Sequence, residues 1–128
     1  MRIARKTLQA WADEVKSRLG LDDWTVQVTL GKAGTKNGRV CMGECNPEPA
    51  ERTAKIVIDT RHIPSLESAK RIVIHEVAHI LIAKIDCFVE DVAHKLYPRN
   101  DKAFAEFVGA YENLCEDVVE RLARGLSE

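Results

Sequence analysis

The chain has 128 residues, of which 45% are hydrophobic and 30% are charged, and its formal net charge is -1. This length and composition predict a single soluble globular domain over residues 1–128, and the sequence contains no internal repeat and no low-complexity segment. Because the net charge is close to zero, charge gives no argument for a nucleic-acid or membrane partner, and we expect neither.

The N-terminal third of the chain is expected to contain one helix followed by short strands. Apolar residues recur every three to five positions over residues 3–19, which predicts an amphipathic helix that ends at Gly20. Alternation and β-branched residues predict a strand over residues 24–30. Residues 31–38 are expected to form a loop, and residues 39–45 are a weaker strand candidate.

The middle of the chain predicts a turn, a strand and a long apolar helix. Residues 46–49 contain two prolines and are expected to form a turn. Residues 54–59 predict a clear strand. A helix is expected over residues 65–85 with Ser65 as its N-cap, and residues 87–95 are left unassigned, with a short helix as the alternative.

The C-terminal segment predicts one further helix. Residues 97–100 break the chain, Asp101 is expected to cap the last helix, and that helix is expected to run to Ala123 with Gly125 beyond it. The order of elements predicts an α+β domain in which helices pack on one face of a small three-stranded sheet.

Cysteine usage and apolar segments favour a cytoplasmic location. No secretory signal is recognised at the N-terminus, and the longest apolar stretch is interrupted by charged residues and is too short to span a membrane. Cys41, Cys45, Cys87 and Cys115 do not have the spacing of a dense disulfide framework. We expect reduced thiols and interpret Cys41 and Cys45 as small buried side chains, not as half of a zinc site.

The segment His75-Glu76-Val77-Ala78-His79 has the pattern H-E-x-x-H. Residues four apart on a helix share one face, so both imidazoles can bind one ion, and zinc is the metal expected for this ligand pair. Glu76 lies next to the first ligand, where it can act as general base and then general acid on a water activated by the metal. The surrounding residues 72–82 are mostly apolar, which indicates a buried helix whose polar side chains need partners.

A catalytic zinc ion usually has three protein ligands and one open position. The extended motif with a later histidine fails, because Ile82 and Ile85 occupy the positions of its glycine and histidine. Glu112 and Glu116 on the last helix border a stripe of small residues, and His94 is a further candidate. Helical spacing does not choose among these three.

The HEVAH motif and the order of the surrounding segments, LDDWTVQVTL, AKIVIDT and RIVIHEVAHILI, resemble the small HExxH metallopeptidases of bacteria and their phages, which are minimal gluzincins. The chain is more distantly similar to ImmA/IrrE-type and SprT-like domains. The resemblance implies a zincin-like fold, a zinc-dependent hydrolase of peptides or proteins, and the cytoplasm of a bacterium or a phage-infected cell as its location.

The same resemblance ranks the third ligand. The segment that starts at Glu116 matches the later helix of ImmA/IrrE-type proteins, with Glu120 in place of their asparagine, and this implies Glu116 as the ligand. The thermolysin-like arrangement of two acidic residues four apart implies Glu112, and a SprT-like arrangement implies His94.

Two functions follow as hypotheses. The first is a zinc metallopeptidase in which Glu76 activates water and an extended substrate pairs with an edge strand, expected at residues 54–59. The second is a non-catalytic regulatory or binding module, in which zinc has four protein ligands and no open position.

Overall fold

The computed structural model describes residues 2–36 and 39–127 and shows an α+β fold, as predicted. The described elements, in chain order, are α1 (Arg5–Arg18), β1 (Thr25–Leu30), β2 (Thr35–Lys36), β3 (Arg39–Val40), β4 (Gly43–Glu48), β5 (Thr53–Ile58), α2 (Leu66–Leu96) and α3 (Asp101–Leu126). The first helix and the first strand lie within two residues of their predicted bounds.

A three-stranded sheet has the strand order β1-β5-β4. Strand β5 pairs in parallel with β1 and antiparallel with β4. The strand predicted over residues 54–59 is therefore the central strand, and the expectation that it is an edge available to substrate is wrong. The edge strand next to the metal-motif helix is β4, which pairs with β5 from Gly43 opposite Ile58 to Glu48 opposite Thr53.

The segment between β1 and β5 is more regular than its sequence indicates. The predicted loop over residues 31–38 contains β2, which pairs with β3, while residues 37–38 lie outside the described residues. The predicted turn over residues 46–49 is wrong for residues 46–48, which continue β4. Pro47 is tolerated there because an edge strand can leave a missing N–H donor on its outer side.

The core lies on one face of the sheet. Val26 and Val28 are buried, whereas Thr25 and Gln27 are exposed, so the side chains of β1 alternate between the core and solvent as predicted. The buried side chains of β1 and β5 form one cluster with residues of all three helices. This confirms the predicted packing of helices against one face of the sheet.

Helix α2 has 31 residues and includes the segment 87–95 that the sequence left unassigned. No glycine or proline interrupts it between Leu66 and Leu96, so nothing in its backbone ends it earlier. Ser65 is its N-cap, as predicted, and the Ser65 hydroxyl accepts a hydrogen bond from the backbone N–H of Ser68 at 3.1 Å. Among the described helices, none is long and apolar enough to cross a membrane.

Helix α3 begins and ends differently from the prediction. Its N-cap is Asn100 instead of Asp101, because the Asn100 side-chain oxygen accepts from the backbone N–H of Ala103 at 3.0 Å. The helix also continues through Gly125 to Leu126, since the remaining turn keeps its helical hydrogen bonds. Helices α2 and α3 form an antiparallel pair, since the end of α2 contacts the start of α3 through His94 and Phe104. This pairing places the motif of α2 opposite Glu116 and Glu120 in the second half of α3.

Candidate metal centre

Three donor side chains from α2 and α3 meet at one point. Glu116 contacts both histidines of the motif: its Oε2 lies 3.1 Å from His75 Nε2, and its Oε1 lies 3.0 Å from His79 Nε2. One donor atom from each of the three side chains lies within 4.8 Å of the others. Among the described residues, no other Cys, His, Asp or Glu joins this group.

The spacing of these donors fits a zinc ion. Tetrahedral ligands about 2.0–2.1 Å from zinc are about 3.3 Å from one another. The Nε2 atoms of His75 and His79 are 3.3 Å apart, and each lies 3.1 Å or 3.0 Å from a different oxygen of the Glu116 carboxylate. Two nitrogens and one carboxylate also match the donor set of a catalytic zinc site, which has three protein ligands. The residues present therefore fit a zinc ion.

Glu120 holds the other side of the His75 ring. Its Oε2 lies 3.0 Å from His75 Nδ1, and its Oε1 accepts from Arg124 Nε at 3.4 Å. A carboxylate that accepts the Nδ1 proton fixes the tautomer in which Nε2 carries the lone pair for a metal. Glu120, one turn after Glu116 on α3, thus orients the His75 imidazole that Glu116 contacts directly.

Glu76 is held against the edge strand. Glu76 is 5% exposed, and a Cβ built on Gly43 of β4 would lie 2.9 Å from Glu76 Cγ. The same Cβ would lie 2.9 Å from Ile72 Cγ2. Only a residue without a side chain lets the β4 backbone approach the α2 carboxylate this closely.

The donors and Glu76 line one cavity of about 650 Å³ between β4, α2 and α3. Cys41 and Cys45 of the segment around β4 also lie on its wall. Burial, followed by the negative charges of Glu76 and Glu44, raises the pKa of Cys45 to about 12. Cys45 is therefore a neutral thiol at physiological pH, which argues against a cysteine nucleophile at this position.

Neither alternative third ligand joins the group of His75, His79 and Glu116. Glu112 is exposed and lines a neighbouring cavity of about 170 Å³, which shares His79 and Asp86 with the larger cavity. His94 is exposed and stacks on Phe104 with ring centroids 4.4 Å apart. It follows His79 by fifteen residues on the same helix, which is about 22 Å along the axis. Glu116 contacts His75 and His79 in the structure, whereas Glu112 and His94 are not part of this group.

Two features of the site were missed by sequence reasoning. The contact between Glu120 and His75 could have been predicted from the sequence. Glu116 and Glu120 are four residues apart, as His75 and His79 are, so each glutamate of one helix can contact one histidine of the other. The close approach of Gly43 could not have been predicted, since it depends on how β4 lies across α2.

No family model matches the chain, and comparisons with curated proteins and with solved structures also give no match.

Proposed function

We propose that this protein is a zinc-dependent metallopeptidase. The observation that carries the proposal is the convergence of His75, His79 and Glu116 at one point, with the buried carboxylate of Glu76 on the wall of the same cavity. These three residues would hold a zinc ion, which would supply a water with a pKa lowered towards about 7 and a positive charge that polarises a carbonyl. The likeness of the HEVAH motif to small bacterial and phage metallopeptidases supports the same activity.

The role of Glu76 follows from its position. Glu76 directly follows the proposed ligand His75 and lies on the buried side of α2. Its carboxylate is therefore near the three donors but is not one of them. Such a carboxylate can accept a proton from the attacking water and return it to the leaving amine. This two-way proton transfer is the step that hydrolysis of an amide requires from the protein.

The edge strand supports a peptide as the substrate. Among the described strands, β4 pairs only with β5, and its residues Gly43, Cys45 and Pro47 line the cavity. An extended peptide can add to such an edge through main-chain hydrogen bonds, which recognise the backbone of any sequence. The proposed substrate strand therefore lies on β4, beside Glu76.

A non-catalytic zinc module is the alternative. A structural zinc ion usually has four protein ligands, whereas the donor group of the described residues has three. The cavity beside the donors also leaves room for a substrate.

We further place the activity in the cytoplasm, because the four cysteines are free thiols, which are typical of reducing compartments.

The variant Glu76→Gln tests the proposed mechanism. We expect it to bind one zinc ion as the native protein does and to lose hydrolysis by at least about 100-fold, because an amide cannot accept the proton. Hydrolysis is measured by mass spectrometry on a peptide library incubated with zinc-loaded protein. Glu67→Gln, an exposed residue of the first turn of the same helix, is the matched control and should cleave normally. Equal cleavage by the Glu76→Gln variant and the native protein would contradict the mechanism.

A further inference from the structure

Arg71 lies on the same wall of the cavity as the proposed metal ligands. Arg71, His75 and His79 are spaced by four residues each on α2, so they share one helix face. All three line the cavity of about 650 Å³. The Cβ atoms of Arg71 and His75 are therefore about 5–6 Å apart, one turn along the helix.

The charge of Arg71 is not used by the described part of the protein. The other described charged side chains on the cavity wall, apart from the histidines, are all acidic: Glu44, Glu76, Asp86, Glu116 and Glu120. The carboxylate of Glu120 takes its cationic partner from Arg124. Among residues 2–36 and 39–127, the side chain of Arg71 makes no hydrogen bond and no ion pair. Its guanidinium is thus available to a ligand in the cavity.

The chemistry of Arg71 indicates what that ligand group is. A guanidinium presents a planar fork of N–H donors that matches a carboxylate in a bidentate arrangement. Arg71 is exposed to solvent, whereas a group that stabilises the reacting oxyanion acts in a dry environment. Arg71 is therefore suited to bind a charged substrate group at the rim, away from the bond that is cleaved.

We propose that Arg71 binds a carboxylate of the peptide substrate and so sets a preference for peptides that carry one near the cleaved bond. One helical turn of about 5.4 Å corresponds to between one and two residues of an extended chain. The carboxylate belongs either to the C-terminus of the peptide or to an acidic side chain within about two residues. This inference rests on the proposed zinc peptidase.

Zinc-directed hydroxamates test this preference without requiring turnover. One pair extends beyond the metal as succinyl-hydroxamate-capped glycine, with a free carboxylate or a carboxamide at its C-terminus. The second pair consists of acetyl-Glu-Ala-hydroxamate and acetyl-Gln-Ala-hydroxamate, which place the side chain on the other side of the metal. Calorimetry on the zinc-loaded protein gives the dissociation constant of each probe, and the pair that shows a preference identifies the source of the carboxylate.

We expect the native protein to bind the carboxylate member of one pair about two- to fivefold more tightly, which is the upper part of the range for a charge pair at an exposed rim. Arg71→Gln should remove this preference and leave the affinity for the neutral member unchanged, while Arg71→Lys should retain part of it. The preference should also weaken at high salt, which screens exposed charges. Arg99→Gln, which removes an exposed charge outside the cavity, is the control and should behave as the native protein does.

Equal binding within both pairs by the native protein, or a preference that survives in Arg71→Gln, would overturn the role of Arg71. Failure of all four probes to bind the zinc-loaded protein, or failure of the protein to bind zinc, would overturn the proposed function, and this inference with it. The two failures are distinguished by the neutral hydroxamates, which report on the metal site alone.

Discussion

At the scale of single residues, the candidate centre consists of two layers of contacts. His75, His79 and Glu116 face one another, and Glu120 contacts the remaining nitrogen of His75. Because a carboxylate behind a ligating imidazole raises its basicity and fixes its orientation, we expect the second layer to raise the affinity of the candidate site for a metal. The two layers can be tested separately.

Replacing Glu120 tests the second layer. We expect Glu120→Ala to weaken zinc binding by about 10–100-fold, because the His75 ring loses its orienting acceptor. Glu120→Gln should weaken it less, since the amide oxygen still accepts from Nδ1–H. Competition with a zinc-binding dye measures both affinities. Glu112→Ala serves as control, as that exposed carboxylate lies outside the donor group; an equal loss in both alanine variants would refute the assigned role of Glu120.

The turn after β5 contains an ionic contact that lies away from the candidate metal centre. Asp59 accepts from Arg61 Nη2 at 2.7 Å and from Arg61 Nε at 2.9 Å, and these bonds lower the pKa of Asp59 to about 2. The backbone N–H of Asp59 also donates to the Met42 carbonyl oxygen at 2.8 Å, which ties this turn to the start of β4. This backbone bond joins the turn to the residue that precedes β4.

This lowered pKa predicts a dependence of stability on pH. A carboxyl with a folded pKa of about 2 and an ordinary pKa of about 3.9 stabilises the fold above about pH 4, and this contribution is lost as the pH falls through 2. Arg61→Gln should therefore be less stable than the native protein at pH 6, and the difference should shrink at pH 2.5. Urea denaturation at both pH values measures it. A difference that is the same at both would contradict the pairing.

At the scale of elements, the site depends on how β4 crosses α2. Gly43 lets the strand backbone approach Glu76 and Ile72, and the strand then continues along the cavity wall. In contrast, Gly109 of α3 has no described atom near the position of its absent Cβ. The two glycines therefore allow a matched comparison.

Gly43→Ala should displace Glu76 or push β4 away from α2. We expect a loss of stability of about 1–3 kcal/mol from overpacking and a lower rate of hydrolysis with zinc binding retained, since no ligand is touched. Gly109→Ala should instead raise stability by roughly 0.5–1 kcal/mol, because alanine is the better helix former. Urea denaturation and the cleavage assay measure both effects. Native-like stability and cleavage in Gly43→Ala would show that the close approach is unimportant.

The elements also show what local sequence can and cannot predict. His75, Glu76 and His79 were recognisable because their spacing on one helix defines their geometry. Helical spacing alone did not distinguish Glu116 from Glu112 and His94 as the third ligand. The distinction depends on the register between α2 and α3, which the sequence of either helix alone does not define. The position of β4 at the sheet edge was also missed because it depends on contacts between distant segments. Pairing with β5 keeps residues 46–48 extended although their sequence favours a turn.

At the scale of the whole molecule, the sheet and α1 form a base that holds the first half of α2. The core cluster joins α1, β1, β5 and α2 and includes Ala123 of α3, one turn beyond Glu120. The part of α3 that contains Glu116 and Glu120 thus packs against the core. All three donor residues lie on helices, and none lies on a loop. Such a rigid scaffold is what a preorganised metal site requires.

The central claim is that His75, His79 and Glu116 bind one zinc ion. Zinc analysis together with X-ray absorption on the native protein and on His79→Ala, Glu116→Gln and Glu112→Gln tests it most directly. We expect one zinc per chain with two imidazole nitrogens at about 2.0–2.1 Å and a carboxylate oxygen in the native protein and in Glu112→Gln, and a large loss of zinc in the other two variants. A native protein that does not bind zinc, or full zinc content in His79→Ala and Glu116→Gln, would contradict the account.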